Sequence, residues 1–330
     1  MNRPPVKPKL LVLELWGLGD LAIATPFLRA AAEKYSVTLL AKPQACELLP
    51  RLWPTIEVIP FNAPWTAFRG KYHLWRWDWR EMLQLRRRLR AEKFDCVVSG
   101  RWDPRDHLLM KATRAAARLG FPRLNSGCLL TQSLSQPHQL AHRAEFWRVA
   151  GAALGLAVPR REEIIPPPRP ASAVVFIHTG AAQPVRVWPL ENYRQIAARL
   201  REKNFTVQIA CDPDQLDWWQ QQGENAVCPR RLSELFTHLD GAGIFIGNDS
   251  GPGHLAAVGG IATFTLFGPQ LPERFIPLHP AAEVFAGRAC PYKPCSDYCH
   301  YEKPFCLGDV TVDEIWPRLS VFAEKQLRNR

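Results

Sequence analysis

Two aspartates sit in glycine-rich turns that follow apolar runs, where a carboxylate can either cap a helix or meet a ligand. Asp249 lies in Gly247-Asn248-Asp249-Ser250-Gly251-Pro252-Gly253, after the strand-like Ile244-Phe245-Ile246 and before a small-residue helix that opens at His254. Free amides at the start of such a helix favour an anion such as phosphate. A carboxylate on the same amides would repel that phosphate. Asp249 is therefore assigned to hydroxyls beside the phosphates, a hint that the anion carries a sugar, with helix capping as the plain alternative. Asp20 closes Gly17-Leu18-Gly19-Asp20 at the mouth of another strand, and capping alone would account for it. A third turn, Thr179-Gly180-Ala181-Ala182, is followed by Arg186; small-residue amides and one guanidinium can hold a phosphate, although an exposed loop cation is the simpler account. Finally, Cys290, Cys295, Cys299 and Cys306 are spaced C-x4-C-x3-C-x6-C. Four thiols so close suggest a structural tetrathiolate for zinc or iron, against disulfides or free thiols.

The elements that must position these residues repeat one pattern. Strand 10–15, turn 17–22, helix 27–35 and strand 37–41 form one strand–turn–helix–strand unit, and residues 244–267 form another. This is the βαβ unit of a parallel sheet, in which ligands gather beyond the carboxyl ends of the strands. Strand 94–99 delivers Arg101-Trp102-Asp103 to the same kind of position, and strand 174–178 delivers the Thr179 turn. Helices are expected at 111–119, 141–154, 190–203, 214–222, 232–239 and 312–327, with a strand at 205–211; the last helix is expected to pack back toward the first domain. The proline-rich stretch 160–170, RREEIIPPPRP, reads as a linker, giving domains 1–165 and 166–330. The first turn also fits G-x-G-x-x-A, but a dinucleotide site wants an acidic residue about 20 positions on. Ala41-Lys42 stands there instead, which disfavours a nicotinamide-dependent oxidoreductase.

A formal charge of +11 over 330 residues points to a polyanionic partner. Between 69 and 93 nine basic residues face three acids, interleaved with Trp75, Trp77 and Trp79. Positive charge beside aromatic surface suits an anionic amphiphile, a membrane interface or a single-stranded nucleic acid. A non-enzymatic nucleic-acid binder, however, leaves Asp20 and Asp249 without roles. The basic residues 1–8 are expected to be disordered. No secretory signal or membrane-spanning run is legible, and five of the nine cysteines are scattered singly, so a soluble, cytoplasmic chain is expected.

Four segments together resemble the ADP-heptose:lipopolysaccharide heptosyltransferases of glycosyltransferase family 9. They are Leu18-Gly19-Asp20 through Thr25-Pro26, the turn at Thr179 with Arg186-Val187-Trp188-Pro189, Asn248-Asp249-Ser250-Gly251-Pro252-Gly253-His254-Leu255-Ala256-Ala257, and Leu266-Phe267-Gly268-Pro269. They run in the family's order. The resemblance implies an α/β GT-B fold: two Rossmann-like domains facing a central cleft, acceptor on the N-terminal side and nucleotide-sugar on the C-terminal side. It implies inverting transfer with no cofactor or metal required for catalysis. Asp20 becomes the general base. Thr179, Gly180, Ala181, Arg186, Asp249, Ser250, Gly251, Pro252, Gly253 and His254 become donor-binding residues, Arg186 standing where a lysine is common. Gly19, Arg76, Arg80 and Arg101 are the expected acceptor contacts. The partners implied are a nucleotide-sugar donor, ADP-heptose first, an anionic glycolipid or glycan acceptor, and the inner-membrane surface; no nucleic acid is expected. A protein acceptor, as in autotransporter-modifying relatives known for cysteine-bound iron, is the alternative.

Overall fold

The apolar run after Lys9 becomes a strand buried along almost its whole length, as a parallel strand covered by helices on both faces must be. The computed structural model describes residues 7–67, 71–295 and 298–328; residues 1–6 of the basic leader lie outside it. The chain divides into two units, Met1–Pro159 and Arg160–Arg330, so the proline-rich stretch belongs with the second.

The first unit contains β1 (Lys9–Glu14), α1 (Leu18–Lys34), β2 (Ser36–Ala41), α2 (Ala45–Leu52), β3 (Glu57–Pro60), α3 (Trp79–Ala91), β4 (Cys96–Ser99), α4 (Pro104–Thr113), β5 (Ala117–Gly120), β6 (Gln132–Ser133) and α5 (Ala144–Ala153). Its six strands are parallel in the order β3-β2-β1-β4-β5-β6, the dinucleotide-fold order, which reverses direction between β1 and β4. Residues 18–22 of the expected turn 17–22 are already helix. Gly17 is the N-cap and α1 continues through Pro26, which offers no N–H to the Ala22 carbonyl. The expected helix 111–119 is wrong in both bounds. Asp103 caps α4 by accepting the Arg105 N–H at 2.9 Å, so the helix starts earlier. Arg114, at φ 65°, then ends it, and residues 117–119 pair in parallel with β4.

The second unit contains β7 (Val174–His178), α6 (Leu190–Glu202), β8 (Thr206–Ala210), α7 (Leu216–Gln221), α8 (Leu232–Asp240), β9 (Ile244–Asn248), α9 (Gly251–Val258), β10 (Ala262–Phe267), the short α10 (Pro272–Phe275), β11 (Glu283–Ala286), α11 (Phe305–Gly308) and α12 (Val312–Arg328). Its order, β11-β10-β9-β7-β8, is all parallel and switches direction between β7 and β9. Ile315, Leu319, Phe322 and Ala323 of α12 are buried in this unit's own core with Trp188, Ile196 and Phe264. Much of the high tryptophan content is likewise core: Trp53, Trp147, Trp188 and Trp219 are fully buried. No helix among the described residues is long and apolar enough to cross a membrane.

Candidate active site

In the second unit the switch point gathers the loops after β7 and β9. Asn248, the last residue of β9, fixes them. Its Oδ1 accepts the Trp188 N–H at 3.0 Å and the Tyr193 hydroxyl at 2.9 Å, and its Nδ2 donates to the Thr179 carbonyl at 2.8 Å. Thr179 is spent on this framework: its N–H donates to Ala210 and its hydroxyl to Gln215 Oε1 at 2.8 Å. The turn therefore presents Gly180 and Ala181 rather than the Thr179 hydroxyl. A Cβ at Gly180 would overlap the Asp212 carboxylate as it stands, so a larger residue here would have to displace Asp212.

Asp249 is not the helix cap. Its Oδ2 accepts from Arg186 Nη1 at 3.2 Å, and its Oδ1 lies 3.9 Å from His254 Nε2. Ser250 occupies the N-cap position without a side-chain capping bond, and its buried hydroxyl has no partner among the described residues. Gly251 to His254 thus form a first turn of α9 with no side-chain cap, beside a guanidinium whose side chain is 25% exposed. That arrangement suits a diphosphate.

In the first unit the switch point lies between β1 and β4. Asp20 is in the first turn of α1 and does cap it: Oδ2 accepts the Gly17 N–H at 3.3 Å. The other oxygen, Oδ1, lies 3.5 Å from Nε of Arg143. Gly19 shares that first turn. Arg143 is buried and boxed by Trp16, Trp102 and Phe146, with ring centroids 4.6, 5.9 and 5.1 Å from its guanidinium carbon. Its Nη1 donates to the Gly100 carbonyl at 2.7 Å and its Nη2 to Glu14 Oε2 at 3.3 Å. Burial pushes the Glu14 carboxyl up to about 7, opposed by Arg143 and reinforced by Asp20. Burial likewise lowers Arg143, against the pull of Glu14 and Asp20.

Arg101, an expected acceptor contact, is buried instead. Its Nε lies 3.3 Å from Asp106 and its Nη2 3.6 Å from Asp103, and its guanidinium carbon sits 4.8 Å from the Trp16 ring centroid. The apolar strand β4 delivers it beneath the surface, where two carboxylates must balance its charge. Arg76 and Arg80 are exposed, beside Tyr72, Leu74, Trp75, Trp79 and Leu83, which are exposed as well. Trp79 and Leu83 lie one turn apart on α3, whose Leu85 and Leu89 face inward. The four clustered cysteines are unbridged and near enough to contribute to raising Cys295 and Cys306, burial being the main cause. Among the described residues no three of His, Cys, Asp or Glu are arranged to hold a metal ion.

Glu14 and Arg143 escaped the sequence reading. Glu14 had a signal, a charge ending the otherwise apolar run KLLVLE, since a buried strand carboxylate needs a partner. Arg143 had none, coming from 129 residues away.

A family model described as glycosyltransferase family 9 (heptosyltransferase) matches residues 82–305. Lipopolysaccharide heptosyltransferase 1 of Pseudomonas aeruginosa is 31% identical over 149 residues, covering 43% of this chain and 41% of that protein. The solved E. coli heptosyltransferase WaaC with ADP is 16% identical at a TM-score of 0.74, over 95% of this chain and 99% of that one. The iron-containing dodecameric glycosyltransferase TibC of enterotoxigenic E. coli is 18% identical at a TM-score of 0.56, over 97% of this chain and 77% of that one. At such identities these structures speak for the fold, which is of the GT-B class.

Proposed function

The chain belongs to glycosyltransferase family 9, and from that premise we propose that it transfers a heptose-type sugar, with inversion, from a nucleotide-diphosphate donor to an acceptor hydroxyl. ADP-heptose is the proposed donor and a lipopolysaccharide-core or similar anionic glycan the proposed acceptor. The observation that carries this is the first turn of α9, which lacks a side-chain cap, beside Arg186, whose guanidinium Asp249 engages. The diphosphate takes the amides of Gly251, Gly253 and His254 and the turn at Gly180-Ala181; Asp249 takes sugar hydroxyls.

In this mechanism Asp20 removes the proton from the acceptor hydroxyl as that oxygen attacks the anomeric carbon. The bond from that carbon to the phosphate oxygen breaks, and the nucleoside diphosphate departs with its electron pair. Negative charge grows on the leaving group, so Arg186 and the fixed amides stabilise the transition state more than the ground state without needing a metal ion. Asp20 must come within about 3 Å of the hydroxyl.

The exposed Tyr72, Leu74, Trp75, Trp79 and Leu83, set among Arg76, Arg80, Arg86 and Arg87, support work at an anionic surface. Aromatic side chains seat at the headgroup level while arginines meet the phosphates. The proposed location is therefore peripheral, on the cytoplasmic face of the inner membrane. A protein acceptor is the second reading, and the assay separates it. Purified protein is incubated with ADP-heptose and either a lipopolysaccharide-core acceptor or an autotransporter passenger, and products are read by mass spectrometry. Heptose on the glycan, unaffected by EDTA, is the expected result. A thermal-shift panel in which NADPH or oligonucleotides stabilise the protein and ADP does not would overturn the proposal.

A further inference from the structure

We infer that Glu14 is a positioning residue for Asp20, acting through Arg143, and that its ionisation decides how firmly Arg143 holds the Asp20 carboxylate. The inference rests on Asp20 being the base. The geometry is a three-member line: a fully buried carboxyl, a buried guanidinium, and a carboxylate whose side chain is 21% exposed. Arg143 cannot follow either partner far, because Trp16, Trp102 and Phe146 wall it in and Nη1 is tied to Gly100. Its one positive charge is therefore shared between Glu14 and Asp20.

The charged groups around Glu14 come from four elements. Arg143 approaches from the segment before α5, Asp20 from α1, Arg101 from the segment after β4, and Lys42 from the end of β2. The Trp16 N–H adds a hydrogen bond to Oε1 at 3.1 Å. When Glu14 is neutral, the full charge of Arg143 falls on Asp20 and occupies the oxygen that must accept the acceptor's proton. When Glu14 is ionised it draws that charge back, leaving Asp20 fixed by the Gly17 amide yet freer to take a proton. Since burial places the Glu14 ionisation at about 7, the change falls in the working range of a cytoplasmic enzyme. A buried strand-end carboxyl is costly to keep charged, and Asp20 is what lies beyond the guanidinium that hydrogen-bonds it.

Two measurements test this. In the ligand-free protein, the 13C-labelled Glu14 carboxyl should titrate near 7. Its titration should move to lower pH in Asp20→Asn, where a repelling charge is lost, and to higher pH in Arg143→Gln, where the attracting one is lost. An unmoved Glu14 titration in Asp20→Asn overturns the coupling. In turnover of ADP-heptose, the wild-type kcat should rise through an ionisation near 7. Glu14→Gln should lose that limb and stay at the low-pH value, roughly tenfold down at pH 8, with unchanged KM for the donor, whereas Glu14→Asp should restore part of the limb. An acid limb that persists in Glu14→Gln while Asp20→Asn is inactive sinks the role of Glu14 and leaves Asp20 as base. Full turnover in Asp20→Asn removes the base itself, whatever Glu14 does.

Discussion

The two units each end a strand in a turn, start a helix and set an aspartate against an arginine, yet the exposure is inverted between them. In the first, the carboxylate of Asp20 is 21% exposed and its arginine, Arg143, only 2%. In the second, the Asp249 carboxylate is 4% exposed and Arg186 is 25% exposed. A buried arginine is a fixture that orients the carboxylate in front of it, which suits a base that must accept a proton from an incoming hydroxyl. A partly exposed arginine on a buried carboxylate is the reverse: the anion is the fixture, and the cation is free to meet the phosphate of the proposed donor. In the proposed mechanism, one local motif serves proton transfer in one unit and anion binding in the other.

The largest expected effect follows from Asp20. Asp20→Asn keeps the shape and the Gly17 bond and removes the basic oxygen, so kcat should fall by about 10³-fold with donor affinity unchanged. Asp249→Asn should instead weaken donor binding as well as turnover. Matching kinetic signatures in the two variants, from KM and kcat measured side by side, would erase the contrast.

Next in size is stability. Arg143→Ala leaves Glu14 buried without its guanidinium and should cost about 3–5 kcal/mol, whereas Arg186→Ala, at a more open site, should cost much less; chemical denaturation of both variants checks this. Glu14 adds a pH signature. Its folded-state value lies above the ordinary 4.5, at about 7. The folded state therefore binds the proton more tightly, and the associated stability is full below pH 4.5 and is lost as pH rises through 7. The loss is on the order of 3 kcal/mol. Thermal unfolding of wild type and Glu14→Gln between pH 5 and 8 should show a slope in the former that is flattened in the latter.

How much of this was legible follows from distance along the chain. Strand, glycine turn and helix are written within thirty or so residues, and β9, α9 and β10 could be outlined from turn formers and apolar runs. The start of α4 was missed because its cap, Asp103-Pro104, precedes any apolar periodicity. The strand β5 was missed because its short run of Ala117, Arg118, Leu119 and Gly120 carries no strand signal until β4 pairs with it. The aspartates were visible, but their partners were not. Arg143 reaches Glu14 across 129 residues and Arg186 reaches Asp249 across 63, and only sheet closure brings either pair together. Arg101 was placed by its position at the end of β4, but its depth was not legible: Asp103 and Asp106, which hold it below the surface, follow only once α4 turns back over the strand.

The smallest effect is also the one most specific to the second unit. Arg186 donates to Asp249 in the free protein, so a diphosphate must compete with that carboxylate for the guanidinium or share it. Because Arg186 has further nitrogens and partial exposure, sharing is the less costly outcome, and binding should draw Arg186 outward while Asp249 stays in place. Arg186→Ala should then lower ADP affinity roughly tenfold to hundredfold, the worth of a charged hydrogen bond or two. Arg186→Lys should recover part of it, since a lysine supplies charge without the fork. AMP, with a single phosphate and less charge to neutralise, should lose less than ADP in the same isothermal titrations. Equal losses for both nucleotides would mean that Arg186 acts on Asp249 alone, and the second unit would then hold its aspartate much as the first does.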